Sequence, residues 1–280
     1  MRTCPSLGRG HTGKDDIMLF VISALTGCPV EASDGHVGTV KDFLFDDKTW
    51  RVRWMVVDTG TWLSARKVLV HPSAIAPLHL SPPRGTGQSM LGWGSDLALT
   101  VRLKKAQIEA SPDISENDSV SKQTEDRFFE YYGCNPSWGT SYFAIDDVED
   151  TPFLAAVAVE MGVNIQADRN RQQLDSVNAT IGYHIHATDG DIGHIENFLV
   201  DDVSWDLCYF VVATGNWWPG EHVRLTPYAV QNIDRVERRI RVNVTRDQVK
   251  SSPPWDPLAM IDAISEKKLH DHYGWPGYSR

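Results

Sequence analysis

The chain has 280 residues, 41% of them hydrophobic and 23% charged, an ordinary globular profile with room for about two domains. Its formal net charge of −10 argues against a phosphate-binding surface over most of its length, because such surfaces are basic, and leaves room for a local basic patch. The four cysteines, Cys4, Cys28, Cys134 and Cys208, stand far apart without a Cys-x-x-Cys pair, so free thiols in a reducing compartment are expected.

From the N-terminus, the apolar run Ile17–Leu25 is too short to span a bilayer as a helix. It leads into Leu25-Thr-Gly-Cys28, which has the pattern of a bacterial lipoprotein cleavage box. Asp15 and Asp16 stand where a signal peptide needs positive charge, so lipoprotein export is not expected. Met18 is the expected biological start.

The stretch Asp34–Trp50 then occurs a second time as Asp189–Trp205, at a constant offset of 155. The register holds without a gap from Ala24/Ala179 through Gly27/Gly182 and Thr59-Gly60/Thr214-Gly215 to Pro72/Pro227 and Ala74/Ala229. Non-identical pairs are mostly alike, as in Val37/Ile192, Val52/Leu207 and Trp54/Tyr209.

Within each copy the pattern predicts short antiparallel strands. In the first, Pro29–Ala32 and Val37–Phe45 flank Ser33-Asp34-Gly35, and Asp-Gly between apolar runs is a strong hairpin signal. Asp34, Gly35, Asp189 and Gly190 are therefore read as turn residues, and Gly38 and Gly193 as bulges or close backbone approaches. Asp46–Thr49 is a polar turn into Trp50–Asp58, where Val52, Trp54 and Val56 alternate with Arg51, Arg53 and Met55 as in a half-buried strand. A strand over Arg66–His71 and a single helical turn at Pro72–Ile75 follow.

Beyond this the offset falls from 155 to 141 (Leu99/Ile240, Gln107/Gln248, Tyr132/Tyr273), so the first copy carries fourteen extra residues within Ala76–Asp96, a Pro-, Gly- and Ser-rich loop. Thr245–Gln248 is a candidate capping box, weaker in the first copy, where Lys104 replaces the threonine. Leu258, Ile261, Ile264 and Leu269 predict an amphipathic helical tail ending at Tyr273-Gly274, while the matching Ser111–Gly133 predicts helix only over Thr124–Tyr132. The expected organisation is a first unit over 18–112, a short helical tail over 113–133, a linker over 134–176, a second unit over 177–254 and a helical tail over 255–280.

Each copy resembles the PRC-barrel family in its Asp-Gly-x-x-Gly turn, its Phe-Leu-x-Asp-Asp-x-x-Trp passage and its Val-Val-x-Thr-x-x-Trp strand end, and the second copy also in its later Thr-x-x-Gln-Val-x-x-Ser-Pro run. The closing Tyr273-Gly274-Trp275-Pro276 is similar to tandem bacterial members. The resemblance implies a mainly β chain of two tandem small barrels with short helical appendages. In the family's best-known members, the cytoplasmic domain of the photosynthetic reaction-centre H chain and the C-terminal domain of a ribosome-maturation factor, the barrel is a binding and assembly module.

Other residues invite chemistry and have plainer readings. Asp46-Asp47 and Asp201-Asp202 suggest a cation site, but adjacent strand-end carboxylates more often form a turn. His184, His186 and His194 could face a zinc ion, yet Pro29, Glu31 and Thr39 replace them in the first copy. Arg51, Arg53, Arg66, Arg238, Arg239 and Arg241, together with aromatics, could hold RNA, against the overall acidity. Trp62, Trp217 and Trp218 follow strands beside glycines and are read as contacts between the barrels or with a partner.

The expectation is a non-enzymatic protein-interaction or assembly module with no catalytic residues, metal or cofactor. Its partner is an unknown protein, nucleic acid is disfavoured, and its two barrels pair about a pseudo-twofold axis. It would work in the bacterial cytoplasm, with peripheral attachment to the inner membrane left open. The alternatives are an RNA- or ribosome-associated protein and a membrane-complex subunit similar to the H chain.

Overall fold

A computed structural model describes residues 19–63, 66–77, 98–112, 127, 128, 130, 131, 174–215, 218, 221–253, 255 and 263–276. Its strands are β1 (Leu19–Val21), β2 (Pro29–Ala32), β3 (Gly35–Asp46), β4 (Arg51–Asp58), β5 (Lys67–Val70), β6 (Leu99–Thr100), β7 (Asp175–Ser176), β8 (His184–Ala187), β9 (Gly190–Asp201), β10 (Leu207–Ala213), β11 (His222–Leu225), β12 (Val230–Asp234) and β13 (Arg239–Val242). The α-helices are α1 (Lys105–Glu109), α2 (Val177–Thr180), α3 (Arg246–Lys250) and α4 (Ala263–Tyr273). Helical structure is also described at Arg127, Phe128, Glu130 and Tyr131.

The strands form two sheets of like connectivity, each an open path in hydrogen-bond order. The first runs β5-β4-β3-β2-β6 and the second β11-β10-β9-β8-β13-β12. The hairpin expected around Asp34-Gly35 joins β2 to β3, and its counterpart around Asp189-Gly190 joins β8 to β9. A turn of 3₁₀ helix covers Pro72–Ala74, where the expected helical turn lies, and recurs at Pro227–Ala229.

Strand β4 departs from the simple alternation. Its register against β3 shifts between Leu44 and Phe45, the mark of a bulge, so Arg53 is an extra residue and the side chains on either side change faces. Val52, Met55 and Val57 enter one apolar cluster while Trp54 and Val56 enter another. The strand is therefore buried on both sides rather than half-buried, and Arg51, read as outward-facing, is buried with it. In β10 a shift between Leu207 and Tyr209 likewise puts Leu207 in the cluster of Phe210 and Val212 and Tyr209 with Val211 in the other.

The two sheets share one core. Phe43, Phe45 and Trp50 of the first lie in the same buried cluster as Phe198, Trp205 and Phe210 of the second. Their outer faces are covered separately. Phe128 packs on Trp54 at a centroid distance of 5.4 Å, and Leu269 of α4 joins the cluster around Tyr209. These two covering residues stand 141 apart, like the rest of the later repeat. Ile264, counted on the apolar face of the tail, is 66% exposed: α4 begins at Ala263 and turns that residue to solvent. Leu258 and Ile261 lie outside the described residues.

Two short arms cross between the sheets. β1, which opens the first copy, pairs antiparallel with β9 of the second sheet, Phe20 against Val200. β7, which opens the second copy, pairs with β3 of the first sheet, Asp175 against Phe45. β7 is the last part of the segment 134–176, and just before it Leu174 packs beside Trp54 of the first sheet. Backbone pairing decided this: an edge-facing stretch of β3 needs partners that its own copy does not supply.

Candidate functional site

The seam between the sheets is where side chains of both copies converge. Asp46 accepts hydrogen bonds through Oδ1 from the backbone N–H groups of Lys48 and Thr49, and the N–H of Trp50 donates to the Asp46 carbonyl at 2.8 Å. Asp201 holds Val203, Ser204 and Trp205 in the same way. These aspartates therefore build turns. Burial pushes the carboxyl of Asp46 above its ordinary range, while the two N–H donors and Arg53 oppose that rise. Each turn ends on a tryptophan in the left-handed region, Trp50 at φ 54° and Trp205 at φ 61°. A bulky residue adopts that conformation only where the surroundings compensate for it. Here the compensation is burial: Trp50 lies 4.9 Å from the ring of Phe210, and Trp205 lies 5.9 Å from that of Phe43, each reaching into the opposite sheet.

Beside the tryptophans the backbones of the two copies bond directly. The N–H of Val52 donates to the Trp205 carbonyl at 2.9 Å, and the N–H of Leu207 donates to the Trp50 carbonyl at 2.7 Å. Between these bonds Arg51 faces Asp206, with Nε to Oδ1 at 2.6 Å and Nη2 to Oδ2 at 3.0 Å. The bidentate pair is largely shielded, its side chains 7% and 16% exposed.

Further out, the N–H of Ser23 donates to Asn197 Oδ1, and the N–H of Asn178 donates to Asp42 Oδ1. Asp42 also accepts from the Ser176 hydroxyl at 2.5 Å. Burial raises the carboxyl of Asp42, and these hydrogen bonds and Lys41 partly offset the rise.

A cleft of about 490 Å³ opens at the seam between the Asp47–Trp50 corner and residues 227–235 of the second sheet, with Tyr228, Gln231 and Asn232 on its wall. Arg235 bridges it, bonding Asp175 at 2.7 Å and also Asp47. Those two carboxylates, Asp175 first, hold the guanidinium charged.

On the outer face of the second sheet lies a buried polar group. The Tyr209 hydroxyl bonds Glu266 Oε1 at 3.0 Å and His270 Nε2 at 2.9 Å, and His270 Nδ1 meets the Pro276 carbonyl. The Arg224 guanidinium lies over the Tyr209 ring at 5.5 Å. Burial raises the Tyr209 phenol and lowers Arg224 and His270. At the related positions the first copy has Trp54 and Leu69, both buried in an apolar cluster. This group ties α4 to the sheet.

With that geometry in place, the comparison with protein families is decisive for one part of the chain. Residues 18–76 match the PRC-barrel domain family. No curated protein matches the chain closely enough to count as a relative. The PRC-barrel domain thus contains β1 to β5, the Asp46–Trp50 turn and Arg51.

Asp34 Oδ1, in the matched PRC-barrel segment, accepts the N–H of Lys105 at 2.8 Å, steering the chain into α1; outside that segment, Asp189 does the same for Arg246 and α3. Gly35 and Gly190 occupy the hairpin turns, and Gly38 and Gly193 lie against the carbonyls of Asp58 and Ala213. Of the tryptophans read as contacts, Trp218 is half-buried against the shared core, with its carbonyl bonded by the Thr214 hydroxyl. The side chain of Trp62 and the whole of Trp217 lie outside the described residues.

His184 and His194 face each other across β8 and β9, while His186 bonds Asp191 at 2.7 Å, a contact that lowers the Asp191 carboxyl. Among the described residues no three His, Cys, Asp or Glu side chains converge as a metal site would require. Among them, too, no helix is long and apolar enough to cross a membrane. Leu25 is buried, and the N–H of Gly27 donates to the Val40 carbonyl, so Leu25–Cys28 form the opening of the first sheet.

The arginines considered for RNA are mostly engaged. Arg51 pairs with Asp206, Arg66 donates to the carbonyls of Glu109 and Ser111, and Arg239 pairs with Glu237. The structural importance of Arg51, Asp206, Tyr209, Arg224, Glu266 and His270 was not drawn from the sequence. The available signal was a mismatch between copies: opposite charges at Arg51/Asp206, and Tyr209 and Arg224 where the first copy has Trp54 and Leu69.

Proposed function

We propose that this chain is a non-enzymatic assembly module, two tandem PRC-type units fused into one body that presents its outer surface to another protein. The reading extends the PRC-barrel description from residues 18–76 to the second sheet. The observation that carries it is the reciprocal exchange across the seam. Each arm, each tryptophan and each backbone bond from one copy to the other has a counterpart 155 residues away running in the opposite sense. That is the relation expected of two units paired about a pseudo-twofold axis.

In support of this reading, Gly38 and Gly193 hold close approaches, Asp46 and Asp201 hold turns, and Trp50 and Trp205 make ring contacts across the seam. The free thiols of Cys28 and Cys208 accord with a reducing, cytoplasmic working site. The test is affinity capture from native extract at several salt concentrations, followed by mass spectrometry. A protein retained in fixed proportion through high salt is the expected result. RNA retained at low salt and shed steeply as salt rises would replace this reading with the ribosome-associated one. Capture together with an integral membrane complex would favour a role similar to that of the H chain.

A further inference from the structure

Arg51 and Asp206 occupy the same place in the two copies, being 155 residues apart, and they are each other's partners in an antiparallel bridge. A residue that pairs with its own counterpart lies on the axis relating the two units. At such a place a symmetric pairing of identical units would set a residue against itself. Two first units would bring Arg51 against Arg51, and two second units would bring Asp206 against Asp206. Both contacts would be made in a shielded seam, where like charges are strongly unfavourable. The hydrogen bonds beside the pair use backbone groups of Trp50, Val52, Trp205 and Leu207, so they would be available to either symmetric pairing. The side chains that cross the seam are apolar in either pairing and discriminate less than charge does: Trp50 and Trp205 are the same residue, Phe43 and Phe198 are too, and Phe210 and Phe45 have the apolar counterparts Met55 and Val200.

We infer that the Arg51–Asp206 pair is the partner-selecting element of the seam: it directs each first unit to a second unit and keeps first units of neighbouring chains from pairing with one another. This rests on the paired arrangement of related units set out above. The occupant the seam is built for is therefore the opposite half of the chain, within one molecule or from a second copy.

The full-length variants Arg51→Asp and Asp206→Arg test it. In R51D both seam positions are acidic, and in D206R both are basic, so neither variant can make an opposite-charge pair alone. In a mixture, every contact between one R51D chain and one D206R chain joins opposite charges. The two are unfolded and refolded separately and as an equimolar mixture, and mass is read by native mass spectrometry. The mixture is expected to hold at least about tenfold more of a two-chain species, one of each variant, than either sample alone. The reversed pair R51D/D206R is expected to remain a single chain like the unaltered protein.

Equal fractions of two-chain species in mixed and separate samples would overturn the inference. If both variants fail to fold alone, their recovery on mixing supports it and their failure on mixing overturns it. A double reversal that folds beside a mixture that does not sort by charge would leave the paired architecture standing and remove only the selecting role.

Discussion

Gly38 lies against the carbonyl of Asp58 so closely that a β-carbon at this position would be 2.0 Å from the oxygen. Gly193 stands in the same relation to Ala213, at 1.8 Å. The obstruction is backbone in a paired strand, so a methyl group forces the strands apart. Gly38→Ala and Gly193→Ala should each cost about 3 kcal/mol or more, read as a lowered urea midpoint with an unchanged slope. A loss below about 0.5 kcal/mol would show that the close approach is not a constraint.

Trp50→Ala should cost about 3–5 kcal/mol. The indole fills the seam against Phe45, at 5.4 Å, and Phe210, and its removal leaves a cavity between two sheets that cannot both close on it. Denaturant unfolding of the variant measures the loss, and the same outcome is expected for Trp205→Ala.

His71 is buried edge-on to Trp54 at 5.2 Å, and burial lowers its imidazole to about 3, with Arg53 adding to the effect. Because the folded value is depressed, the stabilisation is present above the ordinary value of 6.5 and is lost as pH falls from there towards about 3. The second copy has Thr226 at this place, where its hydroxyl accepts from the Tyr228 N–H and caps the following turn. His71→Thr should therefore keep the cap, flatten the pH dependence of the melting temperature in that window and cost about 1–3 kcal/mol at neutral pH through lost packing. A variant whose acid sensitivity matches the parent would refute the assignment.

The Thr245 hydroxyl accepts the N–H of Gln248, whose side chain accepts the N–H of Thr245, closing both ends of a capping box. In the first copy only the return bond has a side-chain acceptor, from the N–H of Lys104 to Gln107. Lys104→Thr should add about 0.5–1 kcal/mol and Thr245→Ala should remove about 1 kcal/mol, compared by urea unfolding.

Tyr209→Phe removes the hydroxyl between Glu266 and His270 while keeping the ring under Arg224. A cost of about 1–3 kcal/mol is expected, together with faster hydrogen exchange in α4, because the helix loses its polar tie to the sheet.

The sequence alone determined what depends on near neighbours and on repetition. The Asp34-Gly35 and Asp189-Gly190 hairpins, the close approach at Gly38 and the Thr245 cap follow from local turn geometry, and the doubling follows from a constant offset. The tertiary structure decided whatever draws its partner from the other copy. The alternation in β4 predicts Trp54 on the face of Val52 and Arg51 on an exposed one, but a bulge at Arg53 changes the face of Trp54, and Asp206, distant along the chain, shields the charge of Arg51. Nothing near Leu19–Val21 or Asp175–Ser176 marks them as arms, because each completes a sheet whose strands belong to the opposite copy. Local pattern fixes which way a strand turns its side chains only while its register is unbroken, and long-range pairing sets both the register and the neighbour.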